Sequence, residues 1–144
     1  MIEQDTIRLL RECDAGIRMG VASIDDVMDD AEQPGLRQAL AECRNGHTAL
    51  AKEVETHLNR FHDRGKAPNP MAKTMSHMKT MVKMAMDPSD RTIAYLMTDG
   101  CGMGAKSLSK FLNEYKAADE ISKDVAKKLI AQEEQLSARL RPYL

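Results

Sequence analysis

Six side chains in this sequence have the chemistry to hold a metal ion or move a proton: Asp14, Cys43, His47, Asp99, Cys101 and Glu133. Cys43 and His47 stand four apart, which on a helix puts both on one face. Imidazole and thiolate are both ligands for zinc or another transition metal. The alternative is a core histidine bonded to Asp14 or to a backbone carbonyl, with Cys43 as a small apolar filler. Asp14 interrupts an apolar series between Leu10 and Ile17, where a carboxylate needs a partner or something to coordinate. A slight roll of that helix would instead turn Leu9, Cys13, Gly16 and Gly20 inward and release Asp14 to solvent. Asp14, Cys43, His47 and Cys101 together suit Zn(II), or Fe(II) if Asp99 and Glu133 join them.

Asp99 and Cys101 lie in the run Asp99-Gly100-Cys101-Gly102-Met103-Gly104. A glycine inside a helix costs about 1 kcal/mol relative to alanine, so something must compensate for three of them. Close helix approach is the favoured account, with Gly16 and Gly20 as the matching flats; a local distortion or a break in the helix would also serve. No nucleophile elbow, phosphate loop or dinucleotide fingerprint is present. His57, His62 and His77 read as peripheral.

The elements that must position these groups follow from periodicity. The chain has 144 residues, enough for one domain spanning 1–144 with a substantial core. Apolar residues make up 42%, but there is no Trp and only five Tyr and Phe together, which argues against a sandwich or barrel. Apolar positions recur at three and four over roughly 5–31, 34–63, 71–86, 88–116 and 119–141. Asn69-Pro70 and Asp87-Pro88 read as helix starts, Gln33-Pro34 as a weaker one, and Gly65 as a C-terminal cap. Four long helices, with one short helix on a long second-to-third connection, predict an all-α antiparallel four-helix bundle with a crossover.

Counting from the turns compares levels. With a turn at 117, Cys101 and Glu133 each lie 16 residues away and share a layer. With a turn at 33, Asp14 lies 19 residues before and His47 14 after. That is a mismatch of about 5 residues, or roughly 7 Å along the axis. The periodicity does not decide whether Gln132 or Glu133 faces inward.

The short segment 71–86 holds six of the chain's 11 Met. Thioethers at this spacing can bind Cu(I), dock a protein partner, or rest on a membrane surface, with Lys73, Lys79 and Lys83 opposite. Packing across the bundle is the expected role; a docking role requires Met75 and Met78 to be exposed.

Composition excludes several functions. With 21 basic against 22 acidic residues there is no basic excess to engage nucleic acid. No stretch approaches the apolar length of a membrane span, and the opening residues show no signal peptide. Three cysteines without a paired spacing fit free thiols in a reducing, cytoplasmic setting.

The chain resembles the ferritin-like superfamily, closest to a bacterial group of four-helix-bundle proteins. The resemblance rests on Leu9 to Gly16 in the first helix, on the Pro34 to Leu40 opening of the second, on the crossover helix, and on Asp99-Gly100. It implies a di-iron centre built from a carboxylate on two helices and Glu-x-x-His on the other two. Asp14, His47, Asp99 and Glu133 stand at such positions. Arg44 and Leu136, however, replace the second helix's Glu and the last helix's His. The implied protein is therefore a self-associating homo-oligomer with an altered or remnant metal site and no clear catalytic activity. The alternative is a zinc or iron protein using the mixed Asp, Cys, His and Glu set.

Overall fold

A computed structural model describes all 144 residues, and it is all-helical. The elements are α1 (Ile2–Met28), α2 (Pro34–Asn59), α3 (Pro70–Met86), α4 (Asp90–Glu114) and α5 (Glu120–Leu140), closed by a 3₁₀ turn at Arg141–Tyr143. No helix is long and apolar enough to cross a membrane.

The starts follow capping chemistry. Asn69 accepts from the backbone N–H groups of Met71 and Ala72, Ser89 from that of Thr92, and Asp119 from that of Ser122. Pro70 and Pro34 occupy first-turn positions, where a missing N–H is no loss. Two expectations move. Asp87-Pro88 does not open α4; Ser89 caps it, and Asp87 accepts from the Thr92 hydroxyl instead. Gly65 does not cap α2, which ends at Asn59, but takes φ +85° within the connection to α3.

α1 packs on α2, α4 and α5, and α5 also packs on α2 and α4. Both ends are stitched by hydrogen bonds to the turns. Asp90 accepts from the Glu32 and Gln33 backbone at the α1–α2 turn. At the opposite end, Asp5 and Thr6 accept from Ala117 and Asp119 at the α4–α5 turn. His57, expected at the periphery, is buried there and bonds the Asp119 carboxylate at 2.9 Å.

The apolar core forms two clusters. One holds Ile17 on α1, Leu50 on α2, Leu108 on α4 and Leu129 on α5. The other holds Ile24, Cys43, Cys101 and Leu136 on the same four helices. On every helix these members stand seven residues apart, two helical turns. The gap between the clusters is the level of Gly20, His47, Gly104 and Glu133.

α3 packs on α1 and α4 with its apolar stripe turned outward, against the expectation that it packs across the bundle. At about 100° per residue, Met71, Met75, Met78, Val82 and Met86 share one face, and each is more than half exposed. Met84, on the opposite face, is the helix's one buried residue.

Candidate functional site

The gap between the apolar clusters is filled by a buried polar layer centred on His47. Its ring is 1% exposed, with Nε2 3.0 Å from Glu133 Oε1 and Nδ1 2.8 Å from Gln132 Oε1. Both nitrogens thus face acceptor oxygens, an arrangement that favours the doubly protonated imidazolium. Burial works against that charge. Hydrogen bonds to Cys43 and Glu133, with the Glu133 charge, outweigh it and carry the His47 pKa from 6.5 up to about 10.

Three glycines from three helices make room for this layer. A Cβ on Gly20 would sit 2.9 Å from two atoms of the His47 ring. One on Gly46 would meet the Gln132 amide at 3.0 Å, and one on Gly104 the Glu133 carboxylate at 3.4 Å. Gly20 and Gly104 thus do pack closely, against side chains of the layer. Gly100 and Gly102 have open space around them, and α4 runs through them without distortion, so close approach does not account for those two. Nothing in the structure explains their presence.

Of the six candidate residues, Cys43, His47, Cys101 and Glu133 gather in or beside this layer. Cys43 Sγ lies 3.7 Å from His47 Nδ1, and Cys101 lies against the Glu133 carboxylate. Burial, the Glu133 charge and a hydrogen bond to Glu133 push the Cys101 pKa far up and hold it as a thiol. Gln132 and Glu133 both face in, which resolves the ambiguity at the last helix. The third thiol, Cys13, belongs to the other cluster; burial and its acidic neighbours Glu12 and Asp14 push its pKa to about 12.

Asp14 and Asp99 lie elsewhere. The register mismatch at α1 is real: Gly20, six residues beyond Asp14, is what faces His47. α1 presents Leu9, Cys13 and Ile17 to the core, and Asp14 pairs with Arg18 at 3.1 Å and accepts from the Lys66 backbone. Asp99 is on the surface of α4 beside Lys79 of α3.

No group of three or more His, Cys, Asp and Glu side chains is arranged to hold a metal ion. The reason is geometric: Cys43 faces one ring nitrogen of His47 and Glu133 the other, so no single point is shared. The residues do not fit a di-iron centre either. Arg44, where a ligand Glu would stand, turns away to Asp25 at 2.7 Å, and Leu136 is buried core.

A cavity of about 180 Å³ lies between α2 and α5, lined by Cys43, Gly46, Gln132 and Leu136 with Glu42 and Arg139 among its outer residues. Gln132 forms part of its wall while bonding His47, so the polar layer reaches this cavity through the amide and the Cys43 thiol.

Comparison with protein-family models, with curated proteins and with solved structures finds no match to this chain.

Proposed function

We propose that the chain is a ferritin-like four-helix bundle, α1, α2, α4 and α5, that works by contact and self-associates through the outward stripe of α3. The short α1–α2 and α4–α5 joins and the long passage through α3 support the bundle reading. The single observation that carries the contact reading is the stripe itself. A 17-residue helix buries one residue while Met71, Met75, Met78, Val82 and Met86 stand in solvent on one face. Contiguous apolar surface of this kind marks an interaction site.

The occupant we assign is a second copy. The stripe repeats along the helix and is self-complementary in a two-fold contact, where each copy offers the same patch. Methionine side chains adapt to one another at such a seam. Two polar side chains of the helix are held within the chain, His77 by Asp26 at 3.1 Å and Lys79 by Asp99 at 3.5 Å.

Sedimentation tests this. The wild-type chain is expected to run as a dimer, and the double variant Met75→Glu with Met78→Glu as a monomer of unchanged helix content. A wild-type monomer at every concentration, or a double variant that stays dimeric, overturns the reading. The rival is a zinc or iron protein on Cys43, His47, Cys101 and Glu133, in which His47 gives up a present partner to the ion. Elemental analysis of untagged protein decides between them: the contact reading expects less than about a tenth of an equivalent of either metal.

A further inference from the structure

The three thiols of this chain are in opposite electrostatic settings. Cys101 lies against the Glu133 carboxylate, and Cys13 stands in apolar packing between Glu12 and Asp14. Both neighbourhoods favour the neutral thiol. Cys43 alone faces a cation, the Nδ1–H edge of the His47 imidazolium, whose other nitrogen is anchored by Glu133. Sulfur, imidazolium and carboxylate thus lie in line, and the protonated ring acts on the sulfur by its charge and its N–H, not as a base. Cys43 is also the one cysteine in the cavity wall between α2 and α5. Cys43 is itself largely buried, 8% exposed against 3% for Cys101 and 0% for Cys13, and the cavity is its route to solvent; reactive cysteines combine such access with a positive neighbour.

From this geometry we propose that Cys43 is an oxidation site for small neutral peroxides that enter through the cavity. The site's size and lining select the class. About 180 Å³ holds only a few water-sized molecules, and Gly46, Gln132 and the Glu42–Arg139 pair give it polar edges. In the reaction the Cys43 thiol first gives its proton to solvent, and the resulting thiolate attacks one oxygen of hydrogen peroxide. An S–O bond forms, the O–O bond breaks, and hydroxide leaves and is protonated from solvent to water. Sulfur is oxidised by two electrons to the sulfenic acid while the peroxide is reduced. The His47 N–H stabilises the attacking sulfur. Gln132 limits this, because its Oε1, at 2.8 Å, competes for the same hydrogen. This inference does not depend on the α3 interface.

The test is site-resolved oxidation of the folded chain. Protein is treated with limiting hydrogen peroxide, trapped with dimedone and mapped by mass spectrometry, beside the same chain unfolded in urea. Trapping is expected at Cys43 alone, about tenfold faster than at Cys43 in urea, and not at Cys13 or Cys101. Gln132→Met, which keeps the bulk and removes the competing acceptor, is expected to speed the reaction. His47→Gln is expected to bring it to or below the unfolded rate. Equal labelling of the three thiols, folded Cys43 no faster than in urea, or a Gln132→Met rate no higher than wild type overturns the proposal. Because the Gln132→Met comparison is made in a well-packed background, a folding failure of His47→Gln does not shelter it. Sedimentation of the same samples reads the α3 interface separately.

Discussion

At the scale of single residues, His47 sets how stability responds to pH. Its pKa is raised in the folded chain, so its contribution is complete below about 6.5 and is lost as pH climbs through about 10. Urea midpoints measured from pH 6 to pH 10 are therefore expected to fall with rising pH, and His47→Gln should flatten that decline. Glu133 tests the pairing directly. Glu133→Leu leaves a buried imidazolium without its counter-charge and is expected to cost about 3–5 kcal/mol in urea unfolding. The double change His47→Leu with Glu133→Leu should recover most of that loss, since it removes both charges together. A double variant as unstable as the single one would show that the layer is held by shape and not by charge. The roles of Cys43 and His47 as face-sharing neighbours were legible from their spacing; the partner of His47 was not, because Gln132 and Glu133 straddle the inward direction of α5.

At the scale of elements, the glycines of α1 and α4 separate two physical roles. Gly20→Ala places a methyl 2.9 Å from a ring held at both nitrogens, and the ring cannot yield without breaking a hydrogen bond. It is expected to destabilise by about 1–3 kcal/mol despite the better helix propensity of alanine. Gly100→Ala and Gly102→Ala meet nothing and should each stabilise by up to about 1 kcal/mol. Thermal melts of the three variants check the contrast. Helix identities were readable from periodicity because the three-and-four spacing runs on through the few polar interruptions in each stripe. The direction of α3 was not. A stripe at three-and-four spacing says that one face is apolar, and only the neighbours decide whether it meets α1 and α4 or solvent. His57 reads from sequence as peripheral for a similar reason: its partner Asp119 is 62 residues away, and no local spacing links the two.

At the scale of the whole molecule, the core is two apolar clusters separated by one polar level. Sliding a helix by one turn would move its polar or glycine position off that level and bury an unpaired group, so the layer favours a single register. Part of this was countable. Equal distances from the α4–α5 turn put Cys101 and Glu133 together, whereas Asp14 stands among the sequence candidates despite its unequal distance from the α1–α2 turn, a mismatch that the fold does not absorb. Asp99 was countable too: two residues before the inward Cys101 on α4, it lies about 200° around the helix and so faces away from the layer.

The passage from α2 to α3 lies over α1 and is tied down chiefly by charge: Arg11 with Asp63 at 3.0 Å, Lys66 with Glu12 at 2.6 Å, and the Asp14 carboxylate beneath Gly65. Apolar cores are indifferent to dilute electrolyte, but partly exposed ion pairs weaken as the Debye length contracts from about 10 Å at 0.1 M to 3 Å at 1 M. Raising sodium chloride should thus loosen this strap while the helices stay folded. Trypsin, cutting after the exposed Arg64 and Lys66, is expected to nick there faster in 1 M salt than in 0.1 M once the salt effect on the enzyme itself is subtracted.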